Sequence, residues 1–279
     1  MGKSSLSIST FFNLNIPFDR MLPLISQAGF KYISLSGDRE HSGYHLKRRR
    51  EEIKRLLSKY NLKIASIHAP YKENDGDLSA LDKERQRVFI RNIKNAIDAA
   101  QDFKVEILDL HLNARFKGRA TKERIGRVRE AMRELSDYAL LKGVKLSCEN
   151  LPEKNSYPIF ETILKEFDYP HIGVCYDVSH AHIAGKDISI LKEYKDRLFS
   201  IHISDDLSRN DDHLLPYDGE VDWIEFKRTF KALSFKGVLM IESSMSPSVA
   251  LRKIGLSTFY EDPERFLSQA YHRGMGFLK

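Results

Sequence analysis

The chain has 279 residues, 42% of them hydrophobic and 30% charged, which is enough to build the core of one or two domains. Its mean hydropathy is negative and no apolar run approaches the thickness of a bilayer, so a membrane-spanning protein is excluded and a soluble one is expected. The net charge of +6 permits attraction to phosphate groups. The two cysteines, Cys148 and Cys175, lie in apolar runs, which argues against a disulfide framework and predicts a cytoplasmic location.

Eight short runs rich in β-branched or aromatic residues recur along the chain, each followed by a charged segment with helical spacing. The runs predict strands at 5–9, 31–35, 63–68, 105–111, 144–149, 171–176, 198–203 and 237–242. The segments between them predict helices at 17–28, 46–60, 79–102, 121–142, 157–167, 187–196, 222–233 and 262–273. Apolar strands that hardly alternate with polar residues are typical of a parallel sheet covered by helices.

Eight strand–helix units in a chain of this length predict a single α/β domain over residues 1–279, a (β/α)₈ TIM barrel. A doubly wound open sheet is the alternative, but it would usually place a glycine-rich loop after its first strand, and residues 10–15 contain no glycine. The segment 204–221 is the longest irregular stretch. A loop of that length inside a compact barrel is usually functional.

Histidine and acidic residues stand at or just after the ends of the predicted strands. They are His68, His111, Glu149, Asp177, His180, His202, Asp211, His213 and Glu242. Six of the nine close successive runs, which independent structural accidents would not produce. In a barrel of this type all strand carboxyl ends converge on one face, where catalytic groups collect.

Four of these residues, from predicted strands five to eight, form a donor set for a divalent cation. They are Glu149, Asp177, His202 and Glu242. Three ionised carboxylates on one rim would repel one another, and a cation would remove that cost. Carboxylates with one imidazole suit Mn²⁺, Mg²⁺, Co²⁺ or Zn²⁺.

The remaining five residues allow one or two further ions, so the sequence predicts one to three in all. His68 and His111 end the strands next to Glu149 and complete a second, imidazole-rich site. His180, with Asp211 and His213 from the long loop, forms a possible third. Mixed imidazole and carboxylate ligands favour zinc or manganese over magnesium.

Other candidate residues are predicted to be structural. Strand alternation turns Cys148 away from the pocket, and Cys175 lies deeper in the barrel, so neither is expected to be a nucleophile. The sequence contains no nucleophile elbow and no phosphate-binding loop. Trp223 is expected to pack at the start of the seventh helix. Five histidines are assigned to structure or surface: His41, His45, His171, His182 and His272.

The chain resembles the xylose isomerase-like barrels, a group of sugar isomerases, sugar 3-epimerases and endonuclease IV. The resemblance covers nearly the whole chain, and its best-matching pieces are S-I-H-A-P-Y, L-S-C-E-N, C-Y-D-V-S-H-A-H-I-A-G-K-D, H-I-S-D-D, D-D-H-L-L-P-Y-D-G-E-V-D-W and L-M-I-E-S-S. The combination is specific to the group, although no single piece is.

Similarity to the epimerases implies one ion held by Glu149, Asp177, His202 and Glu242. It also implies that Glu149 and Glu242 transfer protons on opposite faces of a small sugar or sugar phosphate. His180 resembles the substrate-oxygen contact of these enzymes. Arg209 lies near their substrate-binding arginine but is out of register with it. Such barrels often pair, so a homodimer is possible.

Similarity to endonuclease IV implies a different use of the same positions. His68, His111 and Glu149 would hold one zinc ion, the four residues named for the epimerases a second, and His180, Asp211 and His213 a third. Such a cluster cleaves DNA at an abasic site. The surrounding signatures depart from that enzyme, with N-L-P-E-K after Glu149, C-Y-D-V-S-H around Asp177, and no lysine in H-I-S-D-D. The sugar reading is therefore preferred.

Overall fold

A computed structural model of the protein describes residues 5–72, 77–114, 120–245 and 258–279. Eight parallel strands close into one barrel in chain order, with the first strand paired to the last. They are β1 (Ser5–Ser9), β2 (Tyr32–Leu35), β3 (Lys63–His68), β4 (Ile107–His111), β5 (Lys145–Glu149), β6 (Ile172–Asp177), β7 (Leu198–Ile203) and β8 (Val238–Ile241). The predicted TIM barrel is confirmed. Assignment of the whole range 1–279 to one domain stays a prediction.

Helices surround the barrel and cover the apolar outer faces of the strands. In the described residues they are α1 (Phe18–Gln27), α2 (Arg39–Ser42), α3 (Lys47–Lys59), α4 (Lys83–Phe103), α5 (Lys122–Lys142), α6 (Tyr157–Glu166), α7 (Val178–Ile183), α8 (Ser189–Glu193), α9 (Trp223–Ala232) and α10 (Pro263–Leu278). None of these helices is long and apolar enough to cross a membrane.

Local capping chemistry sets the helix boundaries. Helix α4 begins four residues after its predicted start because the Asp82 side chain accepts hydrogen bonds from two amides of the first turn. Asp222 caps α9 in the same way. Gly143 ends α5 with a φ of 68°, a left-handed conformation that glycine adopts without steric cost.

A short helix directly after β6 was not predicted. Asp177 ends β6, and its Oδ1 accepts a hydrogen bond from the amide of His180, 2.6 Å away, which starts α7. A strand that passes into a helix without a loop fixes the direction of the residues at the junction. Helix α7 therefore holds His180 directly above the end of β6.

The inside of the barrel is polar, contrary to the expectation that the strands hardly alternate. Leu6 and Ile8 of β1 belong to the hydrophobic core under the helices, whereas Ser7 between them faces inward. Ser7 and Ser66 both lie 2.9 Å from Ser34 through their hydroxyl oxygens. Hydroxyls that bond to one another can be buried without large cost, which allows this interior.

The long loop after β7 is organised around one buried carboxylate. Asp205 Oδ2 accepts hydrogen bonds from Trp223 Nε1 at 2.7 Å and from the Tyr217 amide at 3.0 Å. Its Oδ1 accepts from the amides of Asp206 and Val221. The loop is thus fixed from inside, and its tip can present side chains to the barrel rim.

Candidate metal centre

The carboxyl ends of the strands meet at one rim, and the six predicted strand-end residues lie there. His68, His111, Glu149 and Asp177 are the last residues of β3, β4, β5 and β6. His202 stands one residue before the end of β7, and Glu242 stands one residue after β8. Alternation along each strand turns all six side chains toward the barrel axis.

Glu149, Asp177, His202 and Glu242 converge, and we call them the deep cluster. One donor atom from each lies within 4.8 Å of the donor atoms of the other three. His202 Nδ1 lies 2.8 Å from Glu242 Oε2, 3.6 Å from Glu149 Oε1 and 4.0 Å from Asp177 Oδ2. All but Glu242 are buried.

Polar atoms in the deep cluster lie close together but do not form hydrogen bonds with one another. His202 Nδ1, Asp177 Oδ2 and Glu242 Oε2 are buried and have no hydrogen-bond partner among the described residues. Buried polar groups in native proteins are almost always paired or bound to an ion. Three carboxylates and one imidazole suit a divalent cation such as Mn²⁺, Mg²⁺, Co²⁺ or Zn²⁺, so the residues fit the predicted ion.

The charges of the deep cluster oppose one another. Burial raises the pKa of the Asp177 carboxyl to about 7, and the negative charges of Glu149 and Glu242 add to this rise while His180 opposes it. Although burial alone would raise it, the pKa of Glu149 is held well below its usual value by His202 and His111. Within the deep cluster itself one histidine stands beside three carboxylates, and this excess of negative charge favours a bound cation.

His68 and His111 form a second group with Glu149. Their Nε2 atoms lie 3.1 and 3.4 Å from Glu149 Oε2, and the three donor atoms are within 4.8 Å of one another. His68 Nδ1 lies 2.6 Å from the carbonyl oxygen of Ala69 and donates to it. That bond leaves the Nε2 lone pair directed at Glu149, so this group can also hold a cation.

His180, Asp211 and His213 form what we call the outer triad. Asp211 Oδ2 lies between His180 Nε2 at 3.1 Å and His213 Nε2 at 3.2 Å. Each imidazole also bonds to the backbone through Nδ1, His180 to the carbonyl of Asn150 at 3.0 Å and His213 to that of Glu242 at 2.9 Å. Despite its burial, the pKa of His213 is raised to about 9, chiefly by Asp211.

These groups surround a cavity of about 270 Å³ at the rim. Seven of the predicted site residues line it: His68, His111, Glu149, His180, Asp211, His213 and Glu242. Asp177 and His202 lie beneath it, fully buried. Its walls also include apolar side chains that the sequence did not single out, namely Phe11, Tyr71, Leu151 and Pro152. Their position just after the ends of predicted strands is the sequence feature that could have identified them.

Asn150 is a structural residue of the site that the sequence did not indicate. Its Oδ1 accepts from the Asp177 amide and its Nδ2 donates to the Asp177 carbonyl, both at 2.9 Å. This paired contact joins the ends of β5 and β6, and so fixes Glu149 against Asp177. Only its place after Glu149 in the sequence could have suggested the role.

Arg209 lies on an exposed part of the long loop and is not among the described residues that line the cavity. Its role as a substrate contact stays a prediction. Cys148 packs in the hydrophobic core outside the barrel, and burial raises the pKa of its thiol to about 12. Cys175 lies inside, near Asp109 and His202. Trp223 packs against Phe226 at the start of α9, as expected.

Comparison with known proteins places this geometry in a family. The model of the xylose isomerase-like TIM barrel matches residues 22–262. A protein of Sinorhizobium fredii, y4fM, is 26% identical over 267 residues, covering 86% of this chain and 84% of its own. A probable endonuclease 4 of Mycoplasma capricolum is 24% identical over 173 residues, or 55% of this chain and 57% of its own.

The fold is also that of a solved sugar epimerase. The D-allulose 3-epimerase of a Methylomonas species, in complex with D-allulose, superposes with a TM-score of 0.77 at 18% identity, covering 98% of this chain and 96% of the other. At that identity the likeness concerns the fold. The family match covers most of the chain, including every residue of the deep cluster and the outer triad. The chain belongs to the xylose isomerase-like TIM barrel family.

Proposed function

We propose that the protein is a divalent-cation-dependent isomerase or epimerase that acts on a small sugar or sugar phosphate. The observation that carries the proposal is the position of Glu149 and Glu242. Both line the cavity, and each offers an oxygen within 4.8 Å of the other in the deep cluster. Two carboxylates at one small cavity are suited to moving a proton on a carbon next to a carbonyl.

The four residues of the deep cluster would hold the cation. When bound, it would supply positive charge that polarises a carbonyl and stabilises the negative charge that develops on its oxygen. The cation is inferred from the unsatisfied buried atoms and from the excess of carboxylates. Its identity as manganese, zinc, magnesium or cobalt, and a total of one to three ions, are part of the proposal.

The two glutamates would divide the proton transfers. Nearby histidines lower the pKa values of Glu149 and Glu242 against the effect of burial, so both are available as bases. One takes the proton from the carbon beside the carbonyl, and the electron pair moves onto the carbonyl oxygen. The other glutamate, which enters this step protonated, returns its proton to the opposite face of that carbon, so the carbonyl re-forms and the carbon is inverted. Return of the proton to the former carbonyl carbon, with loss of the hydroxyl proton from the first carbon, moves the carbonyl instead.

Neighbouring residues would orient the sugar. His180 lines the cavity, and the contact of its Nδ1 with the Asn150 carbonyl fixes the ring. Its Nε2, which lies 3.1 Å from Asp211, would contact a substrate oxygen by exchanging that partner. The apolar wall of Phe11 and Tyr71 can pack against carbon-bound hydrogens of the ring or chain. The relative that binds D-allulose supports a ketose as the class of substrate. A cytoplasmic location and a homodimer belong to the same proposal.

The test is the exchange of substrate hydrogen with solvent. Metal-loaded protein would be incubated in D₂O with a panel of ketoses and their phosphates, and deuterium at the carbon next to the carbonyl followed by NMR. We expect Glu149→Gln and Glu242→Gln to slow exchange by about 10²–10⁴-fold, because each removes a proton-transfer group. Glu153→Gln, a change at the same cavity but outside the deep cluster, is the matched control. Unchanged exchange in Glu242→Gln would refute the proton-transfer role.

A second candidate is cleavage of abasic DNA, and two observations favour it. All nine positions of the endonuclease-type cluster carry a histidine or an acidic residue in this chain. One of the relatives is named a probable endonuclease 4. This candidate predicts three zinc ions per chain and incision of a duplex with an abasic site. Elemental analysis and an incision assay on the same sample decide between the two, since the sugar proposal predicts no incision.

A further inference from the structure

Asp109 is a buried carboxylate that the proposed reaction does not use. It lies in the middle of β4, points into the barrel beneath the deep cluster, and is fully buried. The Ser200 hydroxyl donates a hydrogen bond to Asp109 Oδ1, and Ser147 lies 2.9 Å from Ser200. His202 is an ionisable neighbour of Asp109: its Nε2 lies 3.5 Å from Oδ2, and neither atom has a hydrogen-bond partner among the described residues.

His202 is therefore held between two sets of carboxylates. Its Nδ1 faces the deep cluster, 2.8 Å from Glu242, while its Nε2 faces Asp109 across the barrel. An imidazole that binds a cation through one nitrogen carries its proton on the other. Carboxylates face both ring nitrogens, but a cation in the deep cluster would take the lone pair of Nδ1, and the Asp109 carboxylate can then accept the proton that remains on Nε2. The Nδ1 lone pair is then directed into the deep cluster.

We propose that Asp109 is a positioning residue that fixes the ring of His202 so that Nδ1 is its cation-binding atom. The inference rests on the proposed cation site and adds to it the residue that orients the histidine ligand. The Ser147–Ser200 pair completes the arrangement by holding Asp109 Oδ1, which leaves Oδ2 for His202. Such carboxylate–histidine pairs raise metal affinity without touching the ion.

Asp109 has one competing role, as a direct ligand. Asp109, Cys175 and His202 have donor atoms within 4.8 Å of one another and would form an inner metal site. A neutral imidazole has a single lone pair, however, and can give it to one site only. The three carboxylates of the deep cluster attract a cation more strongly than the single carboxylate of the inner group, so the lone pair belongs at Nδ1.

The experiment measures Co²⁺ binding by absorption spectroscopy in four proteins: the wild type and the variants Asp109→Asn, Cys175→Ser and Ser34→Ala. Asparagine keeps the size of Asp109 and removes its charge. Ser34→Ala is the matched control, since it breaks two buried hydroxyl contacts in the same barrel interior without touching His202. Circular dichroism establishes that each variant is folded. Asp109→Asn is also introduced into a His202→Gln protein, which is compared with the His202→Gln protein alone.

We expect Asp109→Asn to weaken Co²⁺ binding by about 10–100-fold, as loss of such a partner does elsewhere. Cys175→Ser and Ser34→Ala should stay within about twofold of the wild type, and Asp109→Asn should add nothing in the His202→Gln background, because it acts through that ring. Wild-type affinity in Asp109→Asn would overturn the inference alone. A thiolate-to-cobalt band that Cys175→Ser abolishes would make Asp109 a ligand and also overturn it. A wild type that binds no divalent cation would overturn the proposed function and this inference together.

Discussion

The deep cluster and the outer triad use the same residue types and differ in how their charges are balanced. In the outer triad one carboxylate, Asp211, lies between two imidazoles, and each imidazole has a backbone carbonyl on its other side. In the deep cluster one imidazole is grouped with three carboxylates, and His202 Nδ1, Asp177 Oδ2 and Glu242 Oε2 have no hydrogen-bond partner among the described residues. The two imidazoles of the outer triad can balance its single carboxylate, whereas the deep cluster has an excess of carboxylates. We therefore propose the cation at the deep cluster.

The largest expected effect separates the two groups by charge removal. Asp177→Asn keeps the oxygen that caps α7 but removes a ligand charge, whereas Asp211→Asn makes the same change in the outer triad. We expect Asp177→Asn to lose the bound ion and to reduce turnover by about three orders of magnitude, since a cation contributes several kcal/mol to the barrier. Asp211→Asn should keep one ion. Elemental analysis and exchange kinetics measure both. If Asp211→Asn lost the ion and Asp177→Asn kept it, the outer triad and not the deep cluster would be the cation site.

Removal of the ion should destabilise the folded protein. When a chelator removes the ion, the carboxylates of the deep cluster repel one another. Re-addition of the ion at 100 times its dissociation constant should raise the free energy of unfolding by about 2.7 kcal/mol. Urea unfolding with and without the ion measures the gain. Asp211→Asn should show the same gain and Asp177→Asn none. An equal gain in both would mean that the ion does not depend on the deep cluster.

The loop that carries the outer triad can be loosened without touching the strands. Asp205→Ala removes a carboxylate that accepts from Trp223 and from three loop amides, which should cost about 2 kcal/mol of unfolding free energy. We expect KM to rise because Asp211 and His213 are displaced, while ion content stays unchanged because the deep cluster is built on strands. Loss of the ion in this variant would show that the two groups are not independent.

The smallest effect concerns Arg209, which the family resemblance suggests as a substrate contact. The side chain is exposed, and it is not among the described residues that line the cavity. We expect Arg209→Ala to change KM and turnover by less than about twofold, as surface substitutions usually do. A rise in KM of tenfold or more, with turnover unchanged, would instead place Arg209 at the substrate and extend the site beyond the outer triad.

The fold was predictable because the barrel follows from local patterns. Each of the eight apolar runs became a strand, and α5 and α9 begin and end within one residue of their predicted bounds. Boundaries were less accurate at α4, where the Asp82 cap decided the start. Helix α7 was missed because its six residues are too few to show a period.

The nine site residues were predictable as a set. Six of them are polar residues that close an apolar run, and His180, Asp211 and His213 lie in the segments that follow predicted strands six and seven. Asp109 and Asn150 were not. Asp109 lies inside a strand pattern, and its meaning depends on His202, which is 93 positions away in sequence and 3.5 Å away in space. Asn150 acts through two backbone contacts to β6. Interactions between strands that are distant in sequence leave no local signal.

The sequence by itself determined the eightfold alternation of strand and helix and the chemistry at the strand ends, because hydrophobic periodicity and residue type are local properties. The tertiary structure decided which donor atoms face each other, which of them lack partners, and which nitrogen of His202 faces Asp109. Those features depend on the closure of the barrel, which brings β4, β5, β6, β7 and β8 to one rim and buries most of the polar side chains there.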